Sequence, residues 1–406
     1  MQIVIIGGGA AGVFAAITVA EANPRAEITV LEHAQQPLGK VRISGGGRCN
    51  VTHACFDPAT LTQFYPRGGA ALRGPFTRFQ PRDTVAWFER RGVKLKTESD
   101  GRMFPVTDDS ATIVDCLLNA ARRVGVRVEC GARVTQLQKT EVGFELTVAN
   151  HASLTAHRLL IATGSNAQGW AWAKQLGHTL VAPVPSLFTF NIPDKTLQAL
   201  AGISVPEARV RLKAGAESFT QTGPLLITHW GLSGPVILKL SAWGARALHD
   251  GQYRAELQVN WWAQVHETES TRQLLALKQA HPRRRVMAEG LGPLSQRLWE
   301  WLAQRAGIAA EQRWAEVSKT ALHQLTAQIH HCALHVTGKG AFKEEFVTCG
   351  GVQLDEVNFK TMESRLCPGL YFAGEILDLD GLTGGFNFQS AWTTGWLAGQ
   401  AMGQGG

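Results

Sequence analysis

The chain opens on a four-residue aliphatic stretch, Ile3 to Ile6, too short for anything but a buried strand. Glycines at 7, 8, 9 and 12 break the run, and residues 10–22 that follow are small and apolar on every side, the mark of a buried helix. Residues 27–32 read as a second strand. Together they predict a β-α-β unit with a right-handed crossover at the very start of the chain. Ser110 is expected to cap a helix running to about Arg123, with Ile113, Val114, Leu117 and Leu118 at helical spacing. Strand-like stretches at 127–129, 134–139 and 144–148 predict an antiparallel meander, and a buried strand at 158–162 stops at Thr163-Gly164.

From about residue 183 the texture changes. Stretches 187–192, 208–212 and 254–260 alternate or cluster as strands, and a helix is expected after Gly234. Residues 263–328 carry helical patterns broken by Pro282, Gly292-Pro293 and Gly307. The pattern predicts an α/β domain made of 1–182 and 338–406, interrupted by an insert at 183–337. The insert divides into a β part (183–262 and 329–337) and a helical part (263–328).

Composition narrows the class. With 406 residues, 45% hydrophobic and 18% charged, the chain has room for two or three domains and a large core, which excludes a disordered or fibrous protein. No apolar run reaches the roughly 18 to 20 residues of a membrane span. The first twenty residues lack the basic start of a signal peptide, so a cytoplasmic protein without membrane contact is expected. The seven cysteines form no C-x-x-C. Cys49 and Cys55 lie where disulfide reductases keep a redox pair but six residues apart instead of five, and a redox disulfide is not expected. Histidines 323, 330, 331 and 335 have no acid or cysteine at ligand spacing, so no metal is expected.

The net charge of +7 is concentrated. Nine Lys or Arg between 66 and 102 (67, 73, 78, 82, 90, 91, 94, 96, 102) face four acids, a patch suited to polyanions or to an anionic small molecule. Arg283, Arg284 and Arg285 form a shorter basic run.

Gly7-x-Gly9-x-x-Gly12 follows a strand, opens a helix and is answered by Glu32, twenty residues beyond Gly12. In that context the first glycine permits the turn, the second lets a pyrophosphate reach the backbone, and the third lets helix and strand pack closely. Ala10 and Ala11 then offer first-turn amides, and Glu32 accepts from a ribose. A second region, 369–400, reads as a strand ending at Gly374-Glu375, an acidic loop, the pair Gly384-Gly385 and a long helix. Such a return brings an acid to a ribityl chain and aims a helix start at the pyrimidine edge of a flavin, where about half a positive charge favours the reduced anion.

That region, with NFKTMESRL (358–366), SGGGRCNVT (44–52), GRMFPVTD (101–108) and LLITHWGLSGPVIL (225–238), resembles the BaiN/RdsA family of bacterial FAD flavoproteins over nearly the whole chain. The resemblance implies a glutathione-reductase-like Rossmann FAD-binding domain with an inserted all-β part and a small helical part. It implies FAD contacts at Gly7, Gly9, Ala10, Ala11, Gly12, Glu32, Arg48, Cys49, Asn50, Thr163, Gly164, Gly374, Glu375, Asp380, Gly384, Gly385, Phe386 and Asn387. The chain departs from the family at Ser165, where a second glycine is usual.

Two residues stand out for catalysis. Cys49 beside a flavin is either a proton donor or a packing thiol, and His229 is either an acid-base group or an imidazole bonded to a nearby carbonyl. Ser233 is expected to cap a helix entered by Pro235, leaving amides of 231–234 facing a pocket. No second G-x-G-x-x-G unit occurs, so NAD(P)H is expected as a transient donor. The family offers uridine in 23S ribosomal RNA, steroid-like enones and small amines such as aminoacetone as substrates, and a non-catalytic flavin-bearing RNA-binding module is the other class. The basic 66–102 segment tilts the expectation to ribosomal RNA.

Overall fold

The computed structural model describes residues 1–149, 153–288, 290–340 and 347–404, which divide into two compact units, 1–183 with 348–406 and 184–347. In the first unit, β1 (Gln2–Ile6) is followed by α1 (Ala10–Ala22) and β2 (Glu27–Glu32). β1 lies between β2 and the strand Arg158–Ile161, parallel to both, and the sheet continues in parallel through Leu370–Phe372 on one side and Arg127–Cys130 on the other. The central strands, β1 and Arg158–Ile161, read as nearly unbroken aliphatic runs because both faces of a parallel sheet are covered there, whereas Arg127–Cys130 at the edge is polar and partly exposed.

The strand at 127–130 is thus part of the main sheet, pairing with β2, and not of the expected meander. The meander is Val134–Thr140, Gly143–Val148 and Leu154–Ala156. The helix Ser110–Arg123 is capped by Asp109, whose carboxylate accepts from the Ala111 amide at 2.8 Å, so the cap sits one residue before Ser110.

The C-terminal helix α2 (Phe386–Gly403) packs directly on α1. Glycines 395, 399 and 403, four apart, face it: a Cβ on Gly395 would lie 2.6 Å from the Ala11 carbonyl oxygen, and one on Gly399 2.6 Å from the Thr18 Cβ. The small residues of α1 and the glycine file of α2 let two backbones approach where ordinary side chains would hold them apart.

The second unit is built on a seven-stranded sheet. Its core strands are β3 (Ser204–Ala214), β4 (Glu217–Thr228), β5 (Ala255–Asn260) and β6 (Cys332–Val336), ordered β6-β5-β3-β4 and antiparallel throughout. β4 continues into Gly231–Ser233, then Phe190–Asn191 and Gly338–Lys339. Pairing of 338–339 within this sheet carries the inserted unit past residue 337, and residues 341–346 lie outside the described residues. Buried residues of the sheet and of helices Glu267–Ala280, Gln296–Arg305 and Lys319–His330 share one core, with Trp261, Trp299 and Leu325 at its centre. Among the described residues no helix is long and apolar enough to cross a membrane.

Candidate dinucleotide site

The glycine turn after β1 is tight on two sides and open on the third. A Cβ on Gly7 would lie 2.4 Å from the Ala162 carbonyl oxygen, and one on Gly12 2.0 Å from the Gly7 carbonyl oxygen, so both positions are closed by backbone. Nothing lies within 4 Å of a Cβ on Gly9. Gly9 is also the N-cap of α1, with no side chain capping it and no acid in the first turn, so the amides of Ala10 and Ala11 have no intrahelical acceptor. An open cradle ringed by first-turn amides fits a pyrophosphate.

Glu32, 8% exposed, closes the turn from the side. Its Oε2 accepts from the Gly8 amide and its Oε1 from the Ala34 amide, both at 2.8 Å, and the His33 Nδ1 stands 3.0 Å from Oε1. The carboxylate first holds the glycine loop to β2. Its remaining lone pairs are those available to ribose hydroxyls.

A second open wall follows β2. Gly45, Gly46 and Gly47 have φ of 59°, 69° and 85°, a left-handed run that L side chains resist, and a Cβ at 46 or 47 would meet nothing within 4 Å. The next three residues leave this wall. Arg48 lies over the Phe104 ring at 4.0 Å and pairs with Glu98 at 2.7 Å and Asp108 at 3.5 Å, so its charge is turned to two carboxylates. Asn50, in the amide orientation that satisfies both its ends, donates to the Thr52 carbonyl and accepts from the Gly385 amide at 2.9 Å. Its side chain braces the C-terminal loop.

Cys49 is fully buried with φ of 62°, and burial pushes its thiol up to about 12 against a partial offset from a hydrogen bond with Ser44. The geometry speaks for the packing role and against a proton donor that meets substrate. A raised thiol pKa favours the folded state while the thiol is neutral, so this stabilisation is whole below about pH 9, the ordinary thiol value, and is lost as pH rises toward 12. In the native protein at pH 8, iodoacetamide is expected to alkylate exposed Cys130 and spare Cys49. Cys49→Ala is expected to flatten the loss of stability between pH 9 and 12, measured by urea midpoints. Alkylation of Cys49 at the rate of Cys130 would contradict the burial. Cys49 and Cys55, the pair singled out in the sequence, are not joined by a disulfide.

After Ile161 the main-sheet strand turns at Thr163 and Gly164 (φ 62°), and Asn166 caps the next helix by accepting from the Gln168 amide at 2.9 Å. Ser165, the family departure, stands 3.4 Å from the Lys40 Nζ, which also pairs with Glu375. Glu375 Oε1 accepts from the Thr348 amide at 3.3 Å, and Gly164 lies beside its Oε2. Gly374 sits against Ala11 and donates its amide to the Thr394 hydroxyl at 2.9 Å. The return loop therefore meets the first helical turn of α1, which brings Gly9, Ala10, Ala11, Gly374 and Glu375 into one neighbourhood.

The loop from 379 to 386 is held by a segment that sequence reasoning assigned to another task. Arg67, counted above among cations for a polyanion, makes a two-point ion pair with Asp380, whose side chain is 0% exposed. Asp380 thereby anchors this loop to the segment around Arg67. Tyr65 donates to the Phe386 carbonyl at 2.6 Å, Leu382 donates its amide to the Phe64 carbonyl at 2.8 Å, and Phe64 stacks on Phe386 with centroids 4.4 Å apart. His53 stacks on the same ring at 4.6 Å. Phe386 is thus buried within a ring stack, and Asn387 bonds the Gly381 amide and carbonyl at 2.8 and 2.9 Å. Gly384 and Gly385 pass beneath: a Cβ on Gly385 would lie 2.5 Å from the Thr52 carbonyl oxygen.

Removing the cation from such a pair takes the charge partner from a buried carboxylate, which typically costs 3 to 5 kcal/mol. Arg67→Met is therefore expected to lower stability by about that amount in urea titration, and Arg67→Met with Asp380→Leu to recover most of it. Loss below about 1 kcal/mol would show that the pair does not hold the loop.

Other cations of the 66–102 segment are engaged as well. Arg91 pairs with Glu21, Lys96 with Asp108 and Arg102 with Glu98 and Asp100. Arg78 donates to the Lys360 carbonyl at 2.6 Å. Much of the apparent basic patch is internal pairing.

In the second unit, His229 occupies the two-residue turn between β4 and Gly231–Ser233. It is exposed, and no hydrogen-bond partner is found for it among the described residues, so the alternative of an imidazole tied to a carbonyl is not what the structure shows. Residues 231–233 form a strand paired on both sides, so the expected ring of free amides is absent there. Gly234, not Ser233, is the N-cap of the helix Pro235–Trp243, and no side chain caps it. The histidines near the end of the insert are also separately engaged: His330 with the Ser270 hydroxyl at 2.7 Å, and His331 with Glu267 at 3.0 Å.

Comparison with known proteins agrees with this geometry. Residues 1–401 match the model of the HI0933-like protein Rossmann domain. The chain is 30% identical to a ribosomal RNA dihydrouridine synthase of Escherichia coli over 98% of its own length and 97% of the relative's. It is 28% identical to a 3-dehydro-bile acid delta(4,6)-reductase of Clostridium scindens, over 98% of each chain. Among solved structures, a 3-ketosteroid-delta4-(5alpha)-dehydrogenase from Rhodococcus jostii aligns over 100% of this chain and 97% of that one, with a TM-score of 0.54 at 16% identity, a likeness of fold. With the open glycine cradle, the family match over nearly all residues and a 30% identical full-length relative, the chain belongs to the HI0933-like Rossmann family of FAD-dependent oxidoreductases.

Proposed function

We propose that this protein reduces an activated C=C bond conjugated to a carbonyl, with uridine in ribosomal RNA as the substrate and NAD(P)H as the transient electron donor. The observation that carries the reading is one open dinucleotide cradle at Gly9 together with a Cys49 and Cys55 that form no disulfide. Cys49 and Cys55 hold no redox disulfide, which favours direct transfer from flavin to an organic acceptor over a disulfide relay. When bound, FAD would supply the hydride. Residues that fit it are Gly9, Ala10 and Ala11 at the pyrophosphate, Glu32 at a ribose, and Glu375 and Gly374 from the return loop.

The protein's own part in the chemistry is the proton. Saturating a uracil C5=C6 bond adds a hydride to C6, the carbon β to the carbonyl, and a proton to C5. Negative charge gathers on the carbonyl oxygen meanwhile, so a general acid is needed at C5. His229 is the candidate because it is an exposed imidazole with no hydrogen-bond partner among the described residues, a group able to give and take a proton. Burial withdraws Cys49 from that role.

The full-length relative named as a ribosomal RNA dihydrouridine synthase supports the RNA reading, and the bile-acid reductase supports the same bond chemistry on an enone. The test is anaerobic mixing of the FAD-loaded protein with NADH or NADPH, followed by unmodified 23S ribosomal RNA transcript and mass spectrometry of its nucleosides. Bleaching by a nicotinamide, recovery on adding RNA and a gain of two mass units on uridine are expected. Recovery with a steroid-like enone but not with RNA would replace the substrate. Bleaching by aminoacetone, with recovery in air, would replace the reaction class with amine oxidation.

A further inference from the structure

One surface of the second unit has a pattern that its fold does not need. β3 alternates strictly: Ala208, Val210, Leu212 and Ala214 are buried in the core, while Arg209, Arg211 and Lys213 point to the opposite, exposed face. Successive cations on one face of a strand stand about 6.7 Å apart. The register sets hydroxyls along one flank, Thr222 opposite Arg209, Thr220 opposite Arg211 and Ser218 opposite Lys213. Along the other flank, Asn260, Gln258 and Glu256 of β5 face the same three cations.

These cations differ from those of the 66–102 segment. Arg211 donates from Nε to the Ser218 hydroxyl at 2.9 Å, and among the described residues no carboxylate pairs with Arg209 or Arg211. Lys213 stands 3.5 Å from Glu256, both more than half exposed, a pair that water and salt screen. Glu207 at the start of the file is occupied by the Gln264 amide at 3.0 Å. Among the described residues no Phe, Tyr or Trp side chain shares this face with the three cations, and the imidazoles near it lie at its ends.

A hollow lies at each end of the file. One of about 640 Å³ is lined by Lys213, Arg254, Glu256 and His335, and one of about 390 Å³ by Arg209, Asn260, His266 and His331. A linear file of cations, with hydroxyls along one flank and the amides of Asn260 and Gln258 along the other, matches a chain bearing one negative charge per unit, and contacts of this kind are made to phosphates instead of bases.

We propose that the exposed face of the β3 to β5 strands docks the phosphodiester backbone of the RNA substrate, which rests on the ribosomal RNA reading above. Recognition there is independent of sequence, and it leaves the choice of uridine to the reacting site.

The experiment measures binding of the FAD-loaded protein to fluorescent 23S ribosomal RNA fragments across a salt series. Triple variant R209Q/R211Q/K213Q is compared with R73Q/R90Q/K94Q, which removes three exposed cations from the first unit. The first is expected to lose affinity about tenfold or more and to lower the slope of log affinity against log salt by about 2 to 3, one released counterion contact per side chain. The second variant and R209K/R211K should bind as wild type, and all three should keep FAD and NAD(P)H oxidation. Wild-type RNA binding with an unchanged slope in R209Q/R211Q/K213Q would overturn this surface while leaving the function intact. A wild-type protein that neither binds RNA nor forms dihydrouridine would overturn the function and this surface with it. Retention of polyglutamate instead of RNA, lost in the triple variant, would reassign the face to an acidic protein.

Discussion

Gly9→Trp is expected to give a folded, colourless protein. Gly9 has φ of −83° and ψ of −169°, an extended conformation open to any residue, and its Cβ position meets no atom within 4 Å. The fold therefore has room for a side chain, and the loss of a glycine N-cap costs no more than about 1 kcal/mol. The same room is what a pyrophosphate needs, and the amides of Ala10 and Ala11 cannot reach one past an indole. FAD affinity should fall at least about a thousandfold, equivalent to about 4 kcal/mol. Gly12→Ala is the contrast, because its methyl would enter the Gly7 carbonyl oxygen and damage β1 and α1 whether or not FAD is present. Flavin absorbance after gel filtration and circular dichroism separate the two cases. A yellow Gly9→Trp protein would mean that the cradle is not where the dinucleotide sits.

The β-α-β start was legible because both of its signals are local. A strand's aliphatic run and the glycine spacing sit within about thirty residues, and the acid at 32 closes the unit with a bond to the Gly8 amide. Signals that depend on a distant partner were not legible. Charge counting placed Arg67 on a basic surface because Asp380, its partner, is 313 residues away. The strand at 127–130 was assigned to the neighbouring meander because its true neighbour, β2, precedes it by nearly a hundred residues. At 231–233 the glycines suggested a turn with free amides, whereas Gly231 is there because a Cβ would lie 2.3 Å from the Phe190 carbonyl oxygen across the sheet. The four-residue spacing of glycines in α2 was visible in the sequence. Its meaning required knowing that α1, equally small-sided, lay against it. The cation file of β3 was hidden in the same way, since alternation shows which residues share a face but not which side chains of β4 and β5 stand across from them.

His229→Ala is expected to separate the two halves of the catalytic cycle. The imidazole belongs to the inserted unit and has no partner whose loss would disturb the sheet, so the variant should melt as wild type and keep its FAD. Reduction of the enzyme by NAD(P)H requires no proton delivered to uracil, and its rate should stay within about twofold. Transfer to uridine does require one, and loss of a positioned general acid costs about a hundredfold to ten-thousandfold. Cys49→Ala serves as the control, because a thiol held near 12 and sealed in the core has no proton to give at neutral pH on this surface. A His229→Ala enzyme that forms dihydrouridine at the wild-type rate would assign protonation to water or to another side chain. The inverse result, a crippled Cys49→Ala enzyme with normal stability, would require the segment 44–50 to open during turnover.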